Sequence, residues 1–283
     1  MGRSSKKPTH SGKRVHGIYR FLYFVLGPIF RSRLRPEWAG VENLPTEGGF
    51  VLAPNHICNF DPVNMGYFMA AQGYETRFLA KESLFTAPVI GPIMKRWGMI
   101  PVLRGSSDAT NALVNAEEAV LAGEAVGIYF EGTLTKDPSF WPMKGKTGTA
   151  RLVLDTKVPL IPVVQWGPQT VLDRYSSALR LFRRTRIYVR ALEPIDYSDL
   201  KDSDSSDREA VKELTRRLQD ALEVGLGNLR GEVPPETVWD SKELGPETFA
   251  LKNLVKWRRS LAKASKRNEI LPAKPSLSRN SFK

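Results

Sequence analysis

The sequence predicts an α/β fold in which a mixed sheet is flanked by helices. Short apolar runs alternate along the chain with helical stretches, and this alternation is typical of helices layered on a sheet. Strands are predicted at residues 50–53, 77–80, 99–103, 125–130, 160–164 and 187–191. Helices are predicted at 108–121, at 148–156 and from Ser206 to a stop at Gly227.

Each element follows from a local signal. The run Phe50–Ala53 is apolar and ends at Pro54, as a buried strand does. Ser107 can cap the helix that follows it. The last helix carries a leucine every four residues, which gives it one apolar face; these are Leu214, Leu218, Leu222 and Leu226. Residues 83–96 contain Pro88, Gly91 and Pro92, so a single straight helix is not expected there.

The charge divides the chain into three parts. Residues 1–35 hold nine Lys and Arg and no acid, and residues 250–283 hold ten and one acid. The residues between them carry a net charge of −6, although the whole chain carries +12. We therefore expect a basic N-terminal segment at 1–35, a folded domain at 36–231, and a linker with a basic, partly disordered tail at 232–283.

This distribution disfavours a nucleic-acid platform, because such folds carry their positive charge on the domain itself. A single cysteine excludes an internal disulfide framework. One cysteine and three histidines exclude a conventional His/Cys zinc cage within one chain, and no metal site is predicted.

The N-terminal segment predicts a helix in a membrane interface. Arg20 and Arg31 bracket ten largely apolar residues, fewer than the ~20 that a spanning helix needs. An aromatic helix with flanking cations can lie in the interface and reach phosphate headgroups. Two alternatives stay open: a helix docked on the protein's own core, and a signal peptide, although no small-residue cleavage site follows.

His56 and Asp61 form the strongest candidate for chemistry. His56 follows the end of a predicted strand, where open α/β sheets place their sites. A carboxylate five residues later can return to the ring, fix its tautomer and leave the other ring nitrogen as a base. The alternatives are Asp61 as a plain helix N-cap and Cys58 as a nucleophile.

Three further segments suit an anionic ligand. Arg104 follows a strand and can grip a phosphate with its guanidinium fork. Gly132, after another strand, permits close approach of backbone to a ligand. Lys144 opens a stretch of glycines, lysines and hydroxyls at a helix N-terminus. That stretch is similar to the end of a nucleotide-binding P-loop, but Phe140 stands where the motif's earlier glycine belongs.

Four ordered blocks resemble motifs I to IV of the glycerolipid acyltransferases, and in particular of the lysophosphatidic acid acyltransferases. The blocks are Asn55-His56-x4-Asp61-Pro62, Gly98-x-Ile100-x-Val102-x-Arg104, Glu131-Gly132-Thr133 and Val158-Pro159-Leu160-Ile161-Pro162-Val163. The resemblance covers about residues 15–230. Two blocks depart from the family pattern. Phe130 and Leu134 flank the third block in place of proline and a polar residue, and Cys58 and Asn59 stand where the first block commonly has serine.

The resemblance implies acyl transfer from acyl-CoA, or acyl carrier protein, to the hydroxyl of 1-acyl-sn-glycerol 3-phosphate, giving phosphatidic acid. His56 is then the general base and Asp61 orients it. The implied substrate-binding residues are Asn55, Arg104, Glu131, Gly132, Thr133 and Lys144. No cofactor is implied beyond acyl-CoA as co-substrate. Residues 83–97 are expected either to form an apolar wall near the membrane or acyl chain, or to be ordinary core.

The charged ends predict a peripheral or monotopic protein on the cytoplasmic face of the cell membrane, with anionic lipids as partners and no nucleic acid. Two other functions stay open. The acceptor can be glycerol 3-phosphate or another lysolipid, since Phe130 and Leu134 alter the third block. A non-enzymatic basic membrane-binding protein explains the charge but not the ordered blocks.

Overall fold

The computed structural model describes residues 24, 27–28, 30–102, 108–174, 176, 178–180 and 184–240, with backbone alone for 108–111. The strands are β1 (Leu34–Ala39), β2 (Phe50–Pro54), β3 (Thr76–Lys81), β4 (Ile100–Val102), β5 (Ala125–Gly127), β6 (Leu160–Trp166) and β7 (Thr185–Ala191). The α-helices are α1 (Asp61–Ala71), α2 (Ile90–Arg96), α3 (Asp108–Leu121), α4 (Gly148–Thr156), α5 (Pro168–Val171) and α6 (Arg208–Arg230).

The described strands form one mixed sheet, as the sequence predicts. Their order is β1-β7-β6-β2-β5-β3-β4. The five strands from β6 to β4 run parallel, whereas β7 runs antiparallel to β6 and β1 runs parallel to β7. The carboxyl ends of the five parallel strands therefore meet at one edge, where α/β proteins place their sites.

The central strand β2 is buried on both faces. Val51 and Ala53 pack in a cluster with α3, α4 and α6, whereas Phe50 and Leu52 face a second cluster with α1. Strands covered by helices on both sides lack polar alternation, which is why these apolar runs are easily found in the sequence.

The long helix α6 extends further than predicted. Asp207 caps it by accepting hydrogen bonds from the backbone N–H groups of Glu209 and Ala210, at 3.0 and 3.1 Å. The helix passes through Gly227 and ends at Arg230, and its C-cap Gly231 has a φ of +65°. The predicted stop at Gly227 is wrong, because that glycine serves packing. A Cβ there would lie 2.7 Å from the carbonyl oxygen of Glu232.

The sequence reasoning missed β1. This strand contains Pro36 and lies at an edge of the sheet, where proline is tolerated because one side of the strand needs no partner. The predicted domain start at residue 36 therefore falls inside the strand. At the other end, Trp239 forms a β-bridge with Met143, so the start of the predicted linker lies against the domain.

The predicted interfacial helix is described only in part. Residues 30–33 are helical, and the ring of Phe30 is buried 4.3 Å from that of Tyr67. Phe30 thus docks on the protein's own core, whereas Phe24 is 73% exposed. The rest of that segment and the basic tail lie outside the described residues. No helix in the described part of the chain is long and apolar enough to cross a bilayer.

We expect Gly49→Ala to lower the free energy of unfolding by about 1–3 kcal/mol, as overpacking does. A Cβ at Gly49 would lie 1.9 Å from the carbonyl oxygen of Val120, at the base of β2. Gly66, inside α1, has open space around its Cβ position. The control Gly66→Ala should therefore raise the free energy of unfolding by roughly 0.5–1 kcal/mol. Denaturant titrations measure both, and equal effects would contradict this packing.

Candidate active site

The candidate site lies in the loop between β2 and α1. His56 follows two residues after the end of β2, at the carboxyl edge of the parallel strands. Asp61 is the first residue of α1, and its backbone N–H donates to the carbonyl oxygen of Cys58 at 3.1 Å. The five-residue spacing thus spans one tight loop that brings both side chains together.

The Asp61 carboxylate is fully buried and collects the polar groups of this loop. Its Oδ2 lies 3.0 Å from Nδ1 of His56 and accepts from the backbone N–H of Cys58 at 2.9 Å and from that of Ile57. These donors precede the helix, so Asp61 organises the loop and does not act as a plain N-cap. A carboxylate at Nδ1 favours the tautomer that carries a proton there, which leaves Nε2 free to accept one.

The His56 ring is held on its face as well as at Nδ1. It stacks on the buried ring of Tyr129 with centroids 4.0 Å apart and an interplanar angle of 25°. The backbone of His56 is fixed too, because its carbonyl oxygen accepts from the N–H of Thr135 at 2.7 Å. Since the His56 side chain is still 15% exposed, a substrate can reach it.

Cys58 does not have the environment of a nucleophile. Its side chain is fully buried, and its thiol donates to Oδ1 of Asp61 at 3.3 Å. Burial, followed by the negative charge of Asp61, raises the pKa of the thiol far above its ordinary value. Because the thiolate is the reactive form, the alternative of a cysteine nucleophile is not supported.

Asn55 lies beside the site but holds the scaffold. Its amide pairs with the backbone of Gln165 on β6, donating at 3.2 Å and accepting at 2.8 Å. The Gln165 side chain in turn donates to the carbonyl oxygen of Asn55 at 3.1 Å and accepts from Asn64 of α1 at 2.9 Å. This buried network ties β2, β6 and α1 together. A direct role of Asn55 in substrate binding stays a prediction.

Glu131 is the second buried carboxylate of the site. One of its oxygens accepts from the backbone N–H of His56 and the other from that of Met143, each at 3.0 Å. Burial raises the pKa of Glu131 to about 8, and the two backbone hydrogen bonds act in the opposite direction. Glu131 therefore joins the loop between β2 and α1 to the segment before α4. A direct contact of Glu131 with substrate stays a prediction.

Gly132 and Thr133 continue from Glu131 into a turn. Gly132 has a φ of +70°, and its N–H donates to the carbonyl oxygen of Tyr129 at 2.8 Å. Thr133 is partly exposed beside it. The turn is thus partly exposed next to the Glu131 side chain that accepts from the backbone of His56.

Lys144, which the sequence predicts to bind substrate, forms an ion pair within the protein. Its ammonium lies 2.8 Å from Oδ2 of Asp240, and its backbone N–H donates to the carbonyl oxygen of Trp239. The side chain of Lys146 lies against the turn at Gly132. A Cβ added to Gly132 would lie 3.2 Å from Nζ of Lys146. The substrate-binding role of Lys144 stays a prediction, and Lys146, the other lysine of the Lys-Gly-Lys triplet, is a second candidate that the sequence pattern also contained.

Arg104, the remaining predicted substrate-binding residue, lies outside the described residues. The strand predicted before it is present as β4, and the structure shows that β4 pairs with β3 at the edge of the sheet. Within the described part of the chain, no group of three or more His, Cys, Asp or Glu side chains could hold a metal ion.

Known proteins resemble this chain in sequence and in fold. Residues 35–166 match the model of the Acyltransferase family. The 1-acyl-sn-glycerol-3-phosphate acyltransferase of Bacillus subtilis is 27% identical over 211 residues, which cover 73% of this chain and 99% of the relative. The alpha form from Bos taurus is 27% identical over 195 residues, or 68% of this chain and 65% of the relative.

The fold has a solved counterpart in the 1-acyl-sn-glycerophosphate (LPA) acyltransferase PlsC from Thermotoga maritima. The two structures superpose with a TM-score of 0.57 over 78% of this chain and 86% of the other, at 20% sequence identity. The shared architecture supports the mixed α/β sheet with its flanking helices. Taken with the matched motifs, the family model and the named relatives support a glycerolipid acyltransferase, an O-acyltransferase similar to the lysophosphatidic acid acyltransferases.

Proposed function

We propose that this protein transfers an acyl group from acyl-CoA, or acyl carrier protein, to the free hydroxyl of 1-acyl-sn-glycerol 3-phosphate, giving phosphatidic acid for phospholipid synthesis. The observation that carries the proposal is the His56–Asp61 pair, whose ring nitrogen and carboxylate oxygen lie 3.0 Å apart. The named activity of the relatives from Bacillus subtilis and Bos taurus supports the choice of acceptor.

In the proposed mechanism, Nε2 of His56 takes the proton of the acceptor hydroxyl while the oxygen of that hydroxyl attacks the thioester carbonyl carbon. Asp61 stabilises the imidazolium that forms. The tetrahedral intermediate then collapses, the C–S bond breaks, and the departing thiolate receives the proton from His56. No acyl-enzyme is involved, which agrees with the buried, protonated thiol of Cys58. These steps call for no metal or redox cofactor.

The acceptor phosphate is proposed to bind at the turn beside Glu131. Lys146 is exposed and lies over Gly132, so its ammonium can meet a phosphate without burying an unpaired charge. Leu134 cannot supply a positive charge at this turn. Glycerol 3-phosphate or another lysolipid remains the alternative acceptor, and a panel of acceptors with one acyl-CoA separates them.

The enzyme is proposed to work as a peripheral or monotopic protein on the cytoplasmic face of the membrane, with no nucleic-acid partner. The support is the charge distribution, with nine Lys and Arg and no acid in residues 1–35 and ten with one acid in residues 250–283. Basic residues near an anionic leaflet contribute about 1 kcal/mol each.

We expect His56→Ala to lower kcat by about 10³-fold, because the variant loses its general base. The products are measured by mass spectrometry with oleoyl-CoA and a lysophosphatidic acid. His10→Ala and His16→Ala are matched controls that keep His56. Near-normal turnover by a folded His56→Ala variant would exclude the proposed mechanism.

For Glu131→Gln we expect kcat to fall about tenfold or more with little change in the KM of the acceptor, because a shifted catalytic loop misplaces the base. A glutamine amide accepts only one of the two backbone N–H groups, and an unpaired buried N–H costs about 1–3 kcal/mol. A raised KM with normal kcat would instead indicate that Glu131 contacts the acceptor.

The pH dependence of stability gives this variant a second readout. Between its ordinary pKa of 4.5 and its folded pKa of about 8, Glu131 holds a proton that the unfolded chain has released. The free energy of unfolding should therefore fall as pH rises from about 5 to about 8, and fall less in Glu131→Gln. The exposed Glu209→Gln control should keep the wild-type slope.

We expect Lys146→Ala to raise the KM of the phosphate acceptor about tenfold, since a charge-assisted hydrogen bond contributes roughly 1.5–3 kcal/mol. Lys144→Ala is the matched control and should change KM by less than about twofold, because the exposed ammonium of Lys144 is paired with Asp240 and not with the turn. Initial rates at varied lysophosphatidic acid measure both variants. Equal effects of the two lysines would contradict the assignment.

A further inference from the structure

The connection between β3 and β4 exposes a set of apolar side chains. It contains a 3-10 turn at Glu82–Leu84 followed by α2. The apolar side chains with large exposed fractions are Leu84 at 37%, Val89 at 75%, Ile90 at 47% and Ile93 at 39%. We call these four residues the 84–93 apolar surface. Their exposure excludes ordinary core as the location of these four side chains.

The connection between β3 and β4 is held in a defined conformation by close packing and backbone hydrogen bonds, and in this conformation the four apolar side chains are exposed. Gly91 packs so closely that a Cβ there would lie 2.3 Å from the carbonyl oxygen of Phe85. Its N–H donates to the carbonyl oxygen of Ala87 at 2.8 Å, and the N–H of Phe85 donates to that of Glu82 at 2.8 Å. A well-packed segment with several aliphatic groups in water is typical of a binding surface.

The charges around the 84–93 apolar surface favour an anionic partner. Lys81 precedes it, and Lys95 and Arg96 follow it; all three are exposed. Glu82 is the one acidic residue between Lys81 and Arg96. Aliphatic residues bordered by cations are the pattern of helices that lie at a membrane surface, where the apolar groups enter the acyl boundary and the cations meet phosphates.

The location of the surface connects it with the site. β3 ends at Lys81, and its last three residues pair with β4, so the connection lies at the carboxyl edge of the parallel strands. Phe78 of β3 stacks on Tyr129 with centroids 5.9 Å apart, and Tyr129 stacks on His56. The apolar surface and the catalytic loop therefore belong to the same edge of the sheet.

We propose that the 84–93 apolar surface inserts into an anionic phospholipid leaflet and places the His56 edge against the lipid that contains the acceptor. The inference rests on the proposed function in that a lysophospholipid acceptor resides in this leaflet. It gives the folded domain a membrane contact of its own, separate from the basic ends of the chain.

A fluorescent probe at one position tests the contact in the full-length protein. Val89→Cys is labelled with an environment-sensitive fluorophore; the native Cys58 is buried and its raised pKa protects it from the reagent. With vesicles that contain phosphatidylglycerol, we expect a blue-shifted emission and quenching by lipids that carry a quencher about 5–10 Å below the headgroups. Vesicles of phosphatidylcholine alone should give a weaker response.

The matched control is Val224→Cys with the same label. Val224 is 57% exposed on α6, which packs on β6 away from the β3–β4 side of the sheet. Its probe should not respond to either vesicle. An emission at position 89 that does not change with vesicles would overturn the proposal. A probe that responds to acyl carrier protein and not to vesicles would also overturn it, as would one that responds to self-association of the protein, measured by sedimentation.

Activity separates this inference from the proposed function. The triple variant Val89→Ser, Ile90→Ser, Ile93→Ser should raise the apparent KM for lysophosphatidic acid in vesicles about tenfold. Its kcat on a water-soluble short-chain acceptor should equal that of the wild type. If the probe enters the bilayer but no acceptor is acylated, the surface stands and the proposed function fails. If acceptors are acylated but the probe stays in water, the proposed function stands and the membrane contact of the 84–93 apolar surface fails.

Discussion

The buried carboxylate of Asp61 is the constraint on which the site depends. A buried charge is costly unless hydrogen bonds satisfy it, and here the ring of His56 and the backbone N–H groups of Ile57 and Cys58 do so. The same bonds that compensate the burial also shape the loop and orient the ring. Structure and chemistry therefore depend on the same side chain.

Glu131 holds the loop from its other side, also through hydrogen bonds from backbone N–H groups. Its two oxygens connect the backbone of His56 to that of Met143, across 75 and 12 residues of sequence. Asn55 and Gln165 fix the base of the loop in the same way, with amides in place of a carboxylate. The loop between β2 and α1 is thus held at its ends by long-range bonds and at its centre by a local one, which preorganises the ring of His56, the proposed base, before substrate arrives.

The sequence predicted what local physics determines. Buried strands such as β2 and β6 are apolar along their length, and the contact of His56 with Asp61 spans only five residues, so both could be found from short windows. The edge strand β1 was missed because Pro36 and its partly exposed neighbours lack that pattern. The partners of Glu131 were not predictable, because spacing says nothing about which backbone groups a fold brings to a carboxylate.

Side-chain direction was the other limit. Lys144 and Lys146 flank Gly145 and look equivalent in sequence, but only the fold shows that one meets Asp240 and the other Gly132. The glycine pattern of α6 was equally ambiguous: Gly227 provides close packing and Gly231 provides the turn. Identical residue types thus acquired different roles from their tertiary neighbours.

The two outer strands also bear on how copies of this enzyme behave when crowded together. A sheet with free edges can pair with the sheet of another molecule, and this tendency grows with local concentration. Here one edge is β1, in which Pro36 lacks an N–H group, and the other is β4, which is three residues long. Neither offers a long ladder of donors and acceptors, so the fold resists edge-to-edge aggregation where many copies share a two-dimensional surface.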